Sequence, residues 1–382
     1  MNLSYWERTS FFKDPDYTIV GAGIVGLFAA LELKNKFPEA NVLVLERSLL
    51  PNGASTKNAG FACFGSLSEL IVQLEKSSEE ELLHLVRIRW EGLQKLRATL
   101  GDENIDLKNF GGYEVFTPQD EQLWKDCIAK LDYFNILLKK IIPGDEQVYQ
   151  IADDKISELG LQNVSHLIFN PYEAQIHSGM MMETLINKCL TAGVKILYGY
   201  ELTKFEDLNL EVKDYITQST VSLQTKKLLI CNNAFVNKLV PTLDVSPGRG
   251  QVFITKPIQN LKLKGTFHYD EGYFYFRNID DRVLIGGGRN LNFEKEATTE
   301  FGITDEIKNK ITELLNEIIL PKTNWEFDME WSGIMAFGKE LKPIIKEVQP
   351  NVYCAVRCNG MGVAMGSKIG EELATLVLST MY

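Results

Sequence analysis

The sequence has 382 residues, of which 45% are apolar, and its formal net charge is −11 at pH 7. A chain of this length can bury a large core, and we expect it to form two domains. The negative charge argues against nucleic acid or an anionic membrane surface as the main partner. A membrane-spanning helix needs about eighteen or more consecutive apolar residues, and because no such run occurs we predict no membrane span.

The start of the chain and its cysteines bear on the compartment. The first eight residues contain no apolar segment of the kind found in signal peptides. Six cysteines are scattered along a chain too large to need disulfides, so we predict a cytoplasmic protein. Cys354 and Cys358 lack the usual zinc-ligand spacing and the four histidines are dispersed, so we predict no metal site.

The first predicted element is a βαβ unit with a glycine-rich turn. A β-rich run from Tyr17 leads into Gly21-Ala22-Gly23-Ile24-Val25-Gly26, a helical stretch follows, and a second apolar run ends in Glu46. Gly21 permits the tight turn, Gly23 lets backbone approach a pyrophosphate, and Gly26 lets the helix pack on the strand. The phosphates would lie at the positive end of the helix. Glu46 has the spacing of a carboxylate that binds a ribose hydroxyl, so the unit predicts a dinucleotide without a 2′-phosphate. The alternative is an ordinary βαβ unit.

The remaining elements are predicted from apolar periodicity and turn residues. The predicted helices cover 67–100, 119–140, 180–192, 304–319 and 366–379. The predicted strands cover 111–116, 195–198, 227–231, 252–255, 273–277, 283–286 and 351–356. Alternation between 252 and 288 indicates antiparallel strands, with a hairpin turn at Asp280-Asp281. The small residues of 53–60 suit backbone that lies against a flat cofactor, or alternatively form a flexible loop.

The end of the chain repeats the order of its beginning. A strand runs into Cys358-Asn359-Gly360-Met361-Gly362, and a helix follows. A second amide-rich turn that opens a helix can present backbone N–H groups to another part of the same cofactor. A flavin, whose ring must be held at N1 and O2, needs such a turn more than a nicotinamide does.

These residues together resemble the D-amino-acid-oxidase-like FAD-dependent oxidoreductases, the group that holds glycine oxidase, sarcosine oxidase and γ-glutamylputrescine oxidase. The resemblance runs nearly end to end, and the arm Ser4-Tyr5-Trp6 and the run 55–60 most resemble the γ-glutamylputrescine oxidase branch. The other matching blocks are Gly21–Gly26, Glu46-Arg47, 247–251, Tyr275-Phe276-Arg277, 284–287 and Asn359–Gly362.

The resemblance implies an α/β fold with a Rossmann-like FAD-binding domain and a substrate domain built on a large antiparallel sheet. The implied FAD-binding domain comprises 1–75, 170–245 and 326–382, and the substrate domain comprises 76–169 and 246–325. Non-covalent FAD is implied. Gly21, Gly23, Gly26, Glu46 and Arg47 would hold the ADP half, Leu202 would meet adenine, and Asn359 to Gly362 would meet the O2 edge of the ring. The full implied set is Gly21, Ala22, Gly23, Ile24, Val25, Gly26, Glu46, Arg47, Ala54, Ser55, Thr56, Asn58, Ala59, Gly60, Leu202, Asn233, Ala234, Asn359, Gly360, Met361 and Gly362.

The sequence departs from the family pattern at three places. Met335 stands near the position where amino-acid oxidases of this family carry an arginine for the substrate carboxylate, which puts a simple α-amino acid substrate in doubt. The covalent-flavin cysteine of sarcosine-oxidase-like members is absent from this region. The strand 283–286 lacks the lysine that assists oxygen in those members, which leaves the electron acceptor open between O2 and another molecule.

Candidate pocket residues lie in the predicted antiparallel sheet. They are Tyr273, Tyr275, Arg277, Arg249 and Arg289, and the first three would share one strand face. The alternative for the tyrosines is packing in the domain core. The alternative for Arg277 and Arg289 is surface pairing with Asp280 or Asp281. Trp331 and Phe337 are interpreted as core residues.

We predict oxidation of a C–N bond of a small-molecule amine or amino acid, with hydride transfer from carbon to flavin N5 and hydrolysis of the imine in water. An apolar pocket would favour the neutral amine, because a free alkylamine has a pKa near that of lysine, roughly 10.4. Two alternatives remain open: a flavin-binding scaffold or redox sensor without turnover, and an NAD-linked dehydrogenase.

Overall fold

The structure is a computed structural model that describes residues 3–379. Within these residues the helices are α1 Tyr5–Ser10, α2 Ile24–Lys36, α3 Ala54–Lys57, α4 Leu67–Lys76, α5 Glu79–Leu100, α6 Glu121–Leu138, α7 Lys155–Glu158, α8 Ser178–Thr191, α9 Phe293–Glu296, α10 Asp305–Leu314 and α11 Gly362–Ser379. A π-helical turn, Leu315–Ile319, follows α10. None of the helices within 3–379 has both the length and the apolar composition to cross a bilayer.

The strands of the same residues follow in chain order. They are β1 Tyr17–Val20, β2 Val42–Glu46, β3 Phe61–Ala62, β4 Gly112–Phe116, β5 Gln150–Ile151, β6 His166–Asn170, β7 Ala174–Gln175, β8 Lys195–Tyr198, β9 Tyr200–Glu206, β10 Asn209–Asp214, β11 Thr220–Gln224, β12 Lys227–Ile230, β13 Ser246–Thr255, β14 Thr266–Tyr269, β15 Phe274–Ile279, β16 Arg282–Gly287, β17 Phe327–Phe337, β18 Ile344–Gln349 and β19 Val352–Val356.

In the described part of the chain, six strands form a mostly parallel sheet in the order β18-β19-β12-β1-β2-β8. β1 is buried throughout and pairs in parallel with β2 and β12. Its neighbours are also continuous apolar runs, because both faces of a parallel sheet are covered. One face packs against α2, α5, α8 and α11, and the other packs against a three-stranded sheet of β9, β10 and β11. The predicted parallel unit is confirmed.

The last helix lies against the first long helix. A Cβ built on Gly366 would lie 2.7 Å from Cγ2 of Ile24, and one built on Gly370 would lie 2.7 Å from the carbonyl oxygen of Val25. The two glycines therefore allow α11 to approach the backbone of α2 closely. This contact brings the end of the chain beside the glycine-rich turn near its beginning.

Eight strands form the second large sheet, in the order β17-β13-β16-β15-β14-β4-β6-β5 for the residues described. Its pairs are antiparallel apart from β14 with β4. Because strand side chains alternate, the sheet has two different faces. Phe253, Phe274 and Ile285 pack against α10 on the outer face. Val252, Tyr275 and Trp331 point to the opposite face, which we call the inner face and which contacts the run 59–61.

Several predicted boundaries were wrong. The single helix over 67–100 is two helices, because Ser78 begins a new one: its hydroxyl accepts from the Glu81 amide and its own amide donates to the Glu81 carboxylate. The last helix begins at Gly362 rather than at residue 366. Strand β15 begins at Phe274, so Tyr273 precedes it. The helix over 304–319 changes to a π-helical turn at Leu315. The hairpin turn at Asp280-Asp281 is confirmed, since Ile279 and Arg282 pair across it.

The division into an FAD-binding domain and a substrate domain stays a prediction. Two placements bear on its boundaries. Leu85 and Leu93 of α5 pack in the core beneath the six-stranded sheet. β17 belongs to the eight-stranded sheet. We propose the two large sheets as the centres of the two domains.

Candidate active site

The glycine-rich turn after β1 has no room for side chains at two of its glycines. Gly21 has φ +104°, and a Cβ built on it would lie 2.8 Å from the carbonyl oxygen of Cys231. A Cβ on Gly26 would lie 2.1 Å from the carbonyl oxygen of Gly21. The turn thus places Ala22 and Gly23 at the start of α2, where the amides of Val25 and Gly26 have no acceptor within the helix and lie at its positive end.

Glu46 ties the end of β2 to this turn. One carboxylate oxygen accepts from the Ala22 amide at 3.1 Å, and the other accepts from the Ser48 amide at 3.0 Å. The neighbouring Arg47 places its guanidinium carbon 3.7 Å from the centre of the Phe235 ring. Both side chains therefore have fixed positions beside the turn.

The run 54–60 lies against the turn from another direction. The Ser55 hydroxyl accepts from the Ile24 amide at 3.0 Å and lies 3.0 Å from the position of a Cβ on Gly23. The Asn58 side-chain oxygen accepts from the Gly60 amide at 2.9 Å and from the Ser178 hydroxyl at 2.7 Å. This part of the chain also contains Ala54 and the buried Ala59. The Thr56 hydroxyl in the same run donates to the carbonyl of Pro51 at 2.5 Å. The run is therefore a hydrogen-bonded turn rather than a free loop.

The tail turn before α11 meets the inner face of the eight-stranded sheet. Asn359 has φ +47° and its amide donates to the carbonyl of Ala336 at 3.2 Å. Gly360 has φ +82°, and a Cβ built there would lie 3.8 Å from the sulfur of Met335. Met361 and Gly362 then start α11. The side-chain oxygen of Asn359 is buried and has no protein partner, so an acceptor is available at this turn.

Three other predicted cofactor residues are Asn233, Ala234 and Leu202. Asn233 has φ +47° and its side-chain oxygen accepts from the Arg357 amide at 3.1 Å. Ala234 and Leu202 are both buried in the core between the six-stranded and three-stranded sheets.

Glycines of β13 and β16 lie on the inner face beside Met335 and Tyr275, and we call the surface that these two side chains border the groove. A Cβ on Gly250 would lie 2.8 Å from Cε of Met335 and 4.0 Å from the hydroxyl oxygen of Tyr275. A Cβ on Gly286 would lie 2.7 Å from the Tyr275 ring. The lack of a Cβ at these glycines thus lets Met335 and Tyr275 pack directly over the sheet. Burial raises the pKa of Tyr275 to about 12, so its hydroxyl stays protonated at neutral pH.

Arg277 lies on the same face but binds backbone. Its Nη1 donates to the carbonyls of Ala59 at 3.2 Å, Gly60 at 2.8 Å and Ile176 at 2.9 Å. Burial lowers its pKa to about 10, which leaves it charged at neutral pH. Neither Asp280 nor Asp281 forms an ion pair with it among the residues described. Arg277 therefore fixes the run 59–60 against the sheet.

Arg249 lies on the outer face and is not brought together with Tyr275. Its guanidinium forms two hydrogen bonds with the buried Glu296 carboxylate, at 2.8 and 2.9 Å. Gln251 donates to the same carboxylate at 3.0 Å. The strand alternation that places Gly248 and Gly250 inward turns Arg249 outward, and its charge is already neutralised there.

Tyr273 and Arg289 lie at the end of the groove. Tyr273 packs edge-on against Phe293 with ring centres 5.9 Å apart. The guanidinium carbon of Arg289 lies 3.8 Å from the centre of the Phe337 ring and 4.8 Å from that of Phe293. Phe337, interpreted from sequence as a core residue, thus borders the groove beside Arg289.

A buried polar group near the groove was missed from the sequence. His268 and Glu173 share a hydrogen bond of 2.9 Å, and their ligand-type atoms and that of Cys63 lie within 4.8 Å of one another. Although burial alone lowers the pKa of His268, the nearby carboxylates, Glu173 first, raise it overall. The three residues are far apart along the chain, with 95 positions between Glu173 and His268, and β14 was not predicted, so only its Thr266–His268 alternation was a signal. The expectation of no metal site stays a prediction.

A parallel sheet with a dinucleotide-type turn, set beside a large sheet with a glycine-lined groove, is the architecture of a class of flavin-dependent oxidoreductases. The chain belongs to the family described as FAD dependent oxidoreductase (DAO), whose model matches residues 16–376. The protein is therefore an enzyme that uses FAD, and the recognition made from sequence is confirmed. The family overturns the two alternatives, an NAD-linked dehydrogenase and a flavin-binding scaffold without turnover.

Individual relatives are distant in sequence. The chain is 20% identical over 386 residues to "Probable oxidoreductase OrdL" of Haemophilus influenzae, covering 95% of this chain and 83% of that protein. L-proline dehydrogenase from P. horikoshii superposes with a TM-score of 0.73 at 17% identity, covering 96% of this chain and 94% of the other. Glycine oxidase from Bacillus cereus ATCC 14579 superposes with a TM-score of 0.71 at 17% identity, covering 96% and 98%. These similarities show a shared fold.

Proposed function

We propose that this enzyme oxidises a C–N bond of a small amine or amino acid, as the names of glycine oxidase and L-proline dehydrogenase indicate for proteins of the same fold. The observation that carries the proposal is the meeting of the tail turn and the groove: Gly360, Met335, Gly250 and Tyr275 follow one another at distances of 4.0 Å or less, measured to built Cβ positions. A substrate in the groove would thus lie beside the turn assigned to the flavin ring.

The residues fit non-covalent FAD. The free amides at the start of α2 suit a pyrophosphate, and the space at Gly23 lets it approach. Glu46, held by two backbone amides, can accept from a ribose hydroxyl. The unpartnered oxygen of Asn359 and the amides of the tail turn suit the polar edge of the ring. When bound, FAD supplies the two-electron acceptor for the oxidation.

The groove residues position the substrate and control its protonation. Tyr275 offers a protonated hydroxyl that donates a hydrogen bond, and the apolar side chains of Met335 and Phe61 border the same space. An apolar surrounding disfavours the ammonium form, so the reactive neutral amine is favoured. Hydride loss from carbon needs no side-chain base, and the imine product then hydrolyses in water. We further propose a cytoplasmic location, which the free state of the six cysteines supports.

The test starts with purified holoenzyme. The flavin spectrum is recorded, and the enzyme is mixed anaerobically with polyamines, N-methyl amines, and L- and D-amino acids. We expect bleaching of the flavin band by one of these classes, followed by reoxidation when O2 or an artificial dye is admitted. Comparison of O2 with the dye separates an oxidase from a dehydrogenase. A yellow protein that no amine bleaches would contradict the proposal.

A further inference from the structure

Arg357 lies where two connections between the large sheets meet. Residues 231–245 lead from β12 to β13, and residues 338–343 lead from β17 to β18, so each connection joins the six-stranded sheet to the eight-stranded one. Arg357 directly follows β19 and precedes the tail turn. A side chain in this place can fix the tail turn relative to both sheets.

The guanidinium of Arg357 binds both connections. Nη1 donates to the backbone carbonyl of Asp244 at 3.0 Å and to its carboxylate at 2.9 Å, and Nε donates to the carbonyl of Lys342 at 3.0 Å. A Cβ built on Gly338 would lie 2.5 Å from Cδ of Arg357, so the side chain lies directly across the backbone of the second connection. The arginine is buried, and Asp244 neutralises its charge.

The backbone of the tail has an uncommon conformation at the same place. Arg357 and Asn359 have positive φ, +70° and +47°, and Gly360 has φ +82°. Residues with a Cβ adopt positive φ at an energetic cost and keep it only where the surrounding contacts impose it. Here the Arg357 amide donates to the Asn233 side-chain oxygen at 3.1 Å, and Nδ2 of Asn359 donates to the carbonyl of Leu341 at 2.9 Å. Both connections therefore also fix the backbone of the tail turn.

The tail turn fixed in this way presents one acceptor and one donor. The Asn359 side-chain oxygen is buried without a protein partner, and among residues 3–379 the Gly360 amide has no acceptor. The pyrimidine edge of a flavin, a carbonyl beside a ring N–H, is the complement of such a pair. A donor at the O2 edge stabilises the reduced ring more than the oxidised one, because reduction places negative charge there. The position of the turn should therefore affect how readily the ring is reduced.

We propose that Arg357 is a positioning residue for the flavin: by joining both connections it holds the tail turn at the ring and raises the reduction potential of bound FAD. This inference rests on the part of the proposed function that assigns the tail turn to the flavin ring, and it does not depend on which amine is oxidised. Arg357 acts through the turn, since its own N–H groups are used by Asp244 and Lys342. Loss of either member of the Arg357–Asp244 pair should thus displace the turn.

The test compares Arg357→Met and Asp244→Ala with a control, Arg97→Met. Arg97 forms a similar pair with Asp102, at 2.8 Å, in the last turn of α5 and outside both connections. Each holoenzyme is reduced stepwise with dithionite in the presence of a reference dye, and the equilibrium between flavin and dye gives the midpoint potential. FAD binding is titrated separately, and visible circular dichroism reports the surroundings of the ring.

We expect Arg357→Met to shift the equilibrium between flavin and dye about 10-fold toward oxidised flavin, about 30 mV for a two-electron couple, with FAD still bound through Gly21–Gly26. Asp244→Ala should shift it in the same direction by a smaller factor, because the bonds of Arg357 to the two carbonyls remain. The two substitutions change the net charge in opposite directions, so a common direction indicates displacement of the turn rather than a change of charge. Arg97→Met should match the wild type.

Shifts of opposite sign in Arg357→Met and Asp244→Ala, unchanged potentials in both, or an equal shift in Arg97→Met would overturn the role of Arg357. Should Arg357→Met fail to fold, Arg357→Lys replaces it and should give a smaller shift in the same direction, because it keeps the charge with fewer donors. No amine enters these measurements. Absence of reduction by every amine would contradict the proposed oxidation, and the potentials would still decide the role of Arg357.

Discussion

Replacement of Arg277 by methionine tests whether one buried cation holds the run 59–60 in place. The guanidinium donates four hydrogen bonds to backbone carbonyls. Three go from Nη1 to residues 59, 60 and 176, and the fourth goes from Nε to Asn278 at 3.2 Å. Hydrogen bonds from a charged donor contribute about 1.5–3 kcal/mol each. Burial opposes the charge: it lowers the pKa of Arg277 from 12.5 to about 10, a net shift of about 3 kcal/mol toward the neutral form.

The hydrogen bonds outweigh the desolvation, so we expect Arg277→Met to lower the free energy of unfolding by about 3–5 kcal/mol, the range for breaking a buried charged network. The run that precedes β3 should loosen with it, and FAD should dissociate more readily. The assay is thermal and urea unfolding, followed by circular dichroism for the protein and by flavin fluorescence for release of the cofactor.

The control is Arg282→Met, which removes a half-exposed ion pair with Asp328 and one hydrogen bond to the Thr255 carbonyl, together worth about 1–2 kcal/mol. If Arg277→Met unfolds within 1 kcal/mol of this control and retains FAD equally well, the reasoning is refuted, because the four carbonyls would then have been satisfied by water. Should Arg277→Met fail to fold, Arg277→Lys keeps the charge with fewer donors, and it should still be less stable than the control.

Three further predictions concern the cofactor site and its surroundings. Gly23→Val should abolish retention of FAD through gel filtration, because a Cβ on Gly23 would lie 3.0 Å from the Ser55 hydroxyl. Gly53 also caps a helix, but a Cβ on it would have no atom within 4 Å, so Gly53→Val should retain FAD. Ser55→Ala removes the acceptor of an α2 amide and should weaken FAD binding about 5-fold, about 1 kcal/mol, with recovery in Ser55→Thr; equal flavin titrations for all three proteins would count against it. Burial lowers the pKa of His268, but Glu173 raises it overall. The protonated side chain should therefore stabilise the fold fully at pH values below the ordinary histidine pKa of about 6.5, and this stabilisation should be lost as the pH rises through the raised pKa. The difference in unfolding free energy between the wild type and His268→Gln should therefore shrink from pH 6 to pH 9, and a constant difference would contradict the assignment.

Local patterns were sufficient for the parallel sheet and its turns. The glycines of Gly21–Gly26, the apolar run of β12 and the tail turn each carry their own signal, because tight turns and doubly buried strands restrict residue type within a few positions. The shared strand face of Tyr275 and Arg277 also followed from alternation on one strand. The boundaries of the elements were predicted less accurately. The helix start at Ser78 is one example, although Ser78 and Glu81 have the spacing of a capping box.

Contacts between distant segments could not be predicted in the same way. Arg249 has the residue type of a substrate ligand, and its neutralisation by Glu296, 47 positions later, depends on how α9 packs against β13. His268 meets Glu173 from 95 positions away. Arg289 is a similar case. Acidic residues are close to it in sequence, but among the described residues no carboxylate lies within ion-pair distance of it, and this is a property of the folded chain.

The position of β19 has a consequence for biosynthesis. This strand pairs with β12 in the six-stranded sheet, and α11, which follows it, covers the helix that begins at Ile24. A nascent polypeptide would therefore expose the apolar surface of α2 until α11 has left the ribosome. Capture of the cofactor is expected to wait for this segment, and arrested chains that end before residue 352 should bind chaperones instead of flavin.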